Sequence, residues 1–151
     1  MLTDLYELTM MYGYFKKGMH KKTAVFDMFF RRPVGESSYA VMAGVEQLIE
    51  LIANLHFGSE DIEYLRSLNL FDESFLKYLA EFRFTGEIYA IPEGTIVFPG
   101  EPLVRVKAEI AQAQLIETAL LNIINHQTLI ATKASRIVCA AGTGTDNGKA
   151  R

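Results

Sequence analysis

Arg31 and Arg32 stand together at the end of the apolar stretch "AVFDMFF", immediately before Pro33 and Gly35. A fork of guanidinium donors at a strand end suits bidentate capture of phosphate; the plainer reading is two solvated arginines flanking a buried strand. Near the start of the chain, "LTDLYELTMMYGYF" sets Asp4 and Tyr6 two residues apart in an apolar segment, and an aromatic in such a place ordinarily belongs to a core. His20, His56 and His126 are scattered without the spacing of metal ligands, which favours surface or turn positions. Cys139 falls on the apolar side of the last helical segment and reads as a buried, inert thiol. "GTGTDNGK" resembles a phosphate loop only superficially. Five residues separate Gly142 from Gly148 where the motif has four, Ala150 follows the lysine instead of Ser or Thr, and a helix precedes it instead of a strand. No triad, paired-carboxylate site or metal cluster can be assembled, so the residues alone point to no catalytic group in this chain.

The elements that would position these residues can be read from periodicity and punctuation. Thr3 is the expected N-cap of a first helix, with Asp4 in its first turn and Lys16 and Lys17 before a stop at Gly18. Leu5, Leu8, Tyr12 and Phe15 form one apolar stripe of that helix, and Tyr6, Met10 and Gly13, with Tyr14 close by, form a second. A surface helix needs one such stripe, so the second face should be covered by something. "AVFDMFF" alternates as a strand, with Phe26, Met28 and Phe30 on one face and Val25, Asp27 and Phe29 on the other. "RRPVGESS" is turn-rich and "YAVMA" reads as a short strand. Helices are expected from Gly44 through "VEQLIELIANL", after a cap at Ser59, and after a cap at Asp72. Pro92-Glu93-Gly94 and Pro99-Gly100 divide "EIYAI", "TIVF" and "PLVRV" into three strands. Residues 110–141 should form two helices, or one bent near Asn125, apolar nearly all round except for a seam of Thr118, Asn122, Asn125, Thr132 and Arg136. The order predicts an α+β fold with mainly antiparallel pairing.

Composition sets the outer bounds. The chain has 151 residues, half of them apolar, which suits one globular domain. Fifteen basic against 18 acidic side chains give a net charge of -3 without a basic tract, which argues against a nucleic-acid surface. A single cysteine excludes a disulfide framework, and no apolar run approaches the roughly 20 residues that span a bilayer. A soluble, cytoplasmic protein is the expectation.

Several of these stretches together resemble one family. "LTDLYELTMMYGYF", "AVFDMFFRRP", "YAVMAGVEQ", "FRFTGEIYAIPEGTIVFPGEPLVRV" and "AQLIETALLNIINHQTLIATKASRI" are similar, in this order, to the N-terminal part of nicotinate phosphoribosyltransferases. The resemblance implies the N-terminal domain of a type II phosphoribosyltransferase over residues 1–141, with 142–151 as a linker or tail toward an α/β barrel beyond the chain. It implies NAD salvage by transfer of phosphoribosyl from phosphoribosyl pyrophosphate to nicotinate, with Mg²⁺ as companion ion, ATP hydrolysis as driving force, and a homodimer. Asp4 and Tyr6 match the family's "TDLY" pair, whose tyrosine stacks on the pyridine ring from the neighbouring subunit. Arg31 matches the arginine ending the "FFR" strand, a position that meets substrate phosphate in nicotinamide-using relatives. The family's phosphorylated histidine and its arginine-rich segment have no match among residues 1–151. The chain alone is therefore expected to expose apolar surface and to be inactive; the alternative is a non-catalytic binding or dimerisation module built from the same domain.

Overall fold

A computed structural model of the chain describes residues 3–31 and 38–142. Arg32, Pro33 and Gly35 of the turn-rich loop, and the glycine-containing tail from Thr143, lie outside the described residues. The order is α1 (Leu5–Lys16), β1 (Thr23–Phe29), β2 (Ala40–Val41), α2 (Val45–Ala53), α3 (Ser59–Ser67), α4 (Glu73–Ala80), β3 (Glu87–Ala90), β4 (Ile96–Val97), β5 (Pro102–Glu109), α5 (Ile110–Leu115) and α6 (Glu117–Ala141). One sheet runs β1-β5-β3 and a second pairs β2 with β4; all pairings are antiparallel. The fold is α+β, as the order of elements implied.

β5 organises the larger sheet because its side chains alternate. Val104, Val106 and Ala108 are buried on one face, where Val104 lies opposite Met28 and Ala90 in the flanking strands. Arg105 and Lys107 point the other way into a polar ladder. Arg105 grips Asp27 with two bonds of 2.7 and 2.9 Å and holds that carboxyl below its ordinary range. Gly86 admits the start of β3: a Cβ there would lie 2.4 Å from the Cβ of Ala108 and 2.9 Å from the Lys107 carbonyl.

Helix boundaries depart from the sequence reading in instructive ways. Asp4, not Thr3, occupies the N-cap of α1, and the Thr3 hydroxyl instead donates to Glu7. Gly58, not Ser59, precedes α3, because Asp61 reaches back to accept the Gly58 N–H at 2.8 Å. On α1, Leu8, Tyr12 and Phe15 of the expected stripe pack on the core, with Glu7 and Met11 buried beside them, whereas Leu5 is half exposed. "YAVMA" contributes only a two-residue strand. The final segment forms two helices, the first of the two alternatives, and they meet at Ile116. Its polar seam has a purpose, with Thr132 accepting the Val41 N–H at 2.9 Å and its neighbour Thr128 the Ala43 N–H at 3.3 Å.

Asp72 caps α4 as expected, accepting the Phe75 N–H at 3.0 Å. It also ties α4 to α1, through Lys16 at 2.8 Å and the Tyr12 hydroxyl at 3.1 Å. Lys16 foremost, then Ser74 and the Phe75 N–H, hold its carboxyl far below the usual carboxylate range. A depressed folded-state pKa adds stability above the unfolded value, near 3.9, that is lost as the pH falls below it. Asp72→Ala is therefore expected to unfold at lower temperature than the parent at pH 7, with the gap closing as the pH drops below about 4. Thermal unfolding followed by circular dichroism between pH 7 and pH 2 checks this; a gap constant with pH would show that the carboxylate charge contributes nothing.

Candidate functional site

The N-terminal turn of α1 lies against the junction of α5 and α6. A 25-residue helix begins there, and its first N–H groups have no partner within the helix. Glu7 supplies one from α1. Its carboxylate, fully buried, accepts the Thr118 N–H at 2.8 Å and lies 2.9 Å from the Thr118 hydroxyl. Asp4 lies 3.0 Å from the same hydroxyl. In an uninterrupted helix the Thr118 N–H would bond to the carbonyl of Gln114; capture by Glu7 accounts for the break at Ile116. The buried Gln114 side-chain amide donates to Glu117 at 2.8 Å.

Tyr6 sits between these two acids in sequence and on the outer side of the helix, 46% exposed. It is not a core residue of this chain. Loss of solvent first, then the carboxylates of Glu117 and Glu7, push its phenol above the ordinary value. Leu5 and Met10 are exposed beside it, so the second stripe of α1 stands uncovered.

Arg31 lies apart from this cluster, on a groove of about 780 Å³ between β1 and α6. Phe26, Met28, Phe30, Leu120 and Asn125 also line the groove. Glu117 is on its wall too and so stands between the two sets of candidates. Asp4 and Tyr6 are thus brought together, and Arg31 belongs to the same side of α6 by way of the groove. Sequence reasoning missed Glu7, Gln114 and Glu117. The available signal for Glu7 was an acid beside Leu8 on an inward-facing stretch, which asks for a buried partner.

The remaining polar candidates hold no site. His56 and His126 are exposed, while His20 packs between the rings of Phe15 and Tyr78. Cys139 is exposed, a correction to the buried thiol expected; Ile137 and Val138 beside it are exposed as well, because the last turns of α6 extend past the elements that cover its start. Among the described residues, no three His, Cys, Asp or Glu side chains come together as metal ligands, and no helix is long and apolar enough to cross a membrane.

Removing the Glu7 carboxylate leaves the half-buried Thr118 N–H without its partner. Glu7→Ala is expected to destabilise the chain by about 1.5–3 kcal/mol, and Glu7→Gln by less, since an amide oxygen can still accept from Thr118. Urea unfolding of the two variants measures the difference; a Glu7→Ala chain as stable as the parent would show that the contact contributes nothing.

Comparison with known proteins matches residues 1–125 to the profile of the nicotinate phosphoribosyltransferase (NAPRTase) N-terminal domain. A nicotinate phosphoribosyltransferase of Bacillus subtilis is 50% identical over 135 residues, covering 89% of this chain and 28% of that protein. Nicotinate phosphoribosyltransferase pncB2 of Mycobacterium tuberculosis is 45% identical over 141 residues, covering 93% and 30%. The crystal structure of human nicotinic acid phosphoribosyltransferase superposes with a TM-score of 0.89 at 33% identity, over 96% of this chain and 30% of that one. The chain therefore spans less than a third of the length of these relatives. With its sequence matched over most of its length and its fold shared with a solved member, the chain belongs to the nicotinate phosphoribosyltransferase family as that family's N-terminal domain.

Proposed function

We propose that this domain serves an enzyme that joins nicotinate to phosphoribosyl pyrophosphate, giving nicotinate mononucleotide and pyrophosphate in NAD salvage, with ATP hydrolysis driving the reaction. The observation that carries the reading is the family match over residues 1–125. The outward tyrosine on α1 fits it: an aromatic face suits a flat pyridine ring once both are desolvated, and Tyr6 is available to such a partner. Arg31, at the groove, offers a charged fork for a phosphate of the second substrate. Asp4 is proposed to keep the turn before Tyr6 in place through Thr118, and thereby to serve substrate binding.

The uncovered stripe of Leu5, Tyr6 and Met10 supports a homodimer in which α1 of one subunit meets the active site of its partner. The Mg²⁺ and ATP implied by the family find no cluster of acidic ligands among the described residues, so no step is assigned to them here. The domain alone is proposed to have no turnover, because the family's phosphorylated histidine and arginine-rich segment, which would stabilise charge on a departing pyrophosphate, have no match among residues 1–151.

In a complete enzyme carrying this domain, Tyr6→Ala is expected to weaken nicotinate binding by about 1–2 kcal/mol. Arg31→Ala is expected to weaken phosphoribosyl pyrophosphate binding by about 1.5–3 kcal/mol. Calorimetric titration of each substrate separates the two. The dimer makes a further demand. Mixing Tyr6→Ala subunits with subunits inactivated in the remainder of the enzyme should restore the parental affinity for nicotinate at the working site, because one site of each mixed dimer is then intact. Mixed dimers whose working site keeps the weakened affinity of Tyr6→Ala would show that Tyr6 serves its own subunit, and substrate binding indifferent to Tyr6 and Arg31 would favour the non-catalytic module.

A further inference from the structure

An aspartate at a helix N-cap ordinarily accepts an N–H of its own first turn. Asp4 does not. It occupies the N-cap of α1 without a side-chain bond to that helix, and its carboxylate is turned to the Thr118 hydroxyl, 3.0 Å away. Among the described residues this is the bond that the Asp4 side chain makes. The same hydroxyl lies 2.9 Å from the Glu7 carboxylate, which also accepts the Thr118 N–H. One threonine of α6 thus meets α1 two residues before Tyr6 and one residue after it. Glu7 keeps its backbone bond whatever the hydroxyl does, so the hydroxyl is what ties down the exposed side of the turn, at Asp4. The branched Cβ of Thr118 narrows the rotamers open to that hydroxyl. Glu117, the residue before it, lines the groove that Arg31 also lines, so the tie runs from the turn bearing Tyr6 to the wall of the groove.

We propose that Thr118 is a positioning residue for nicotinate recognition: its hydroxyl fixes the first turn of α1 against α6 and so sets where the Tyr6 ring is presented. The proposal rests on the reading of Tyr6 as the ring-stacking residue. A ring that must meet a flat ligand gains from a backbone held before the ligand arrives, since less freedom is then lost on binding. Thr118 is assigned no contact with substrate; it acts through the turn that carries the ring. This role is separable from the anchoring of Glu7, which takes the backbone N–H that any residue but proline would supply at this position.

The test uses a complete enzyme in which this domain replaces the matched region of the Bacillus subtilis relative. Thr118→Val keeps the shape and the N–H and loses the hydroxyl; it is expected to raise KM for nicotinate about three- to tenfold at unchanged kcat. Asp4→Ala removes the other end of the same bond at an exposed position and should do the same, with the double variant no worse than either. Thr118→Ser returns the hydroxyl and is expected to recover most of the loss. In a Tyr6→Ala background, Thr118→Val should have no further effect on nicotinate KM, since the ring it positions is gone. An equal rise in that background would show that Thr118 acts by another route and would overturn the proposal. So would a nicotinate KM unmoved by Thr118→Val while Tyr6→Ala impairs it, an outcome that leaves the stacking role standing. Nicotinate KM indifferent to Tyr6→Ala removes the stacking role and the proposal with it. Should the joined enzyme fail to fold, the 151-residue chain decides. Hydrogen exchange of the Leu8 and Thr9 amides, at the start of α1, is expected to quicken about fivefold or more in Thr118→Val relative to the β5 amides, and an unchanged ratio overturns the proposal.

Discussion

A carboxylate without solvent is tolerated in a protein only where something offsets its lost hydration, which costs roughly several kcal/mol. In this domain the offset for Glu7 is the start of the longest helix. The Thr118 N–H is a donor without an intrahelical partner, it carries part of the positive end of the helix dipole, and it lies in a part-buried place against the buried Glu7. Each group would be a liability alone. Together they fix α1 on α6 across 111 positions of sequence and determine where the helical segment from Ile110 is interrupted. The same solution recurs at α2. Gly44, in a left-handed conformation with φ of 103° and no side chain to cap with, leaves the first N–H groups to Glu93, which accepts from Gly44 at 2.7 Å and from Val45 at 2.6 Å. Two glutamates from distant turns thus start the two helices that flank β2.

This constraint shapes what the domain can offer to a ligand or a partner. With Asp4 and Glu7 engaged inward, the surface of α1 that remains is Leu5, Tyr6 and Met10. With α6 anchored at its first turn, its flank and β1 leave a groove of mixed apolar and polar lining with Arg31 on its rim. Exposed apolar residues continue along α6 at Ile130, Ile137 and Val138. Exposed apolar faces of this kind mark contact surfaces.

How much of this was legible depended on the range of each interaction. The Asp72 cap could be read because donor and acceptor lie three residues apart, and the strands from Glu87 to Glu109 because Pro and Gly punctuate them. Ser59 and Thr3 were each displaced by one residue, since Asp61 accepts the N–H of Gly58 and the Thr3 hydroxyl is taken up by Glu7. Glu7, Glu93 and Thr128 were beyond reach: periodicity places each on a helix or turn, but their partners lie 111, 49 and 85 positions away. Arg31 as a phosphate contact and Tyr6 as a ring contact came from family resemblance. No spacing within the chain distinguishes them from a solvated arginine and a core tyrosine.

Native-state hydrogen exchange of the Thr118 amide tests the central interaction most directly. The second amide of a helix has no intrahelical acceptor, and Glu7 is the acceptor that the structure gives it. The amide is expected to exchange as slowly as those of β5, through global unfolding alone, and to become fast in Glu7→Ala while the β5 amides stay protected relative to it. A Thr118 amide that exchanges in the parent as rapidly as a frayed helix end would contradict the account.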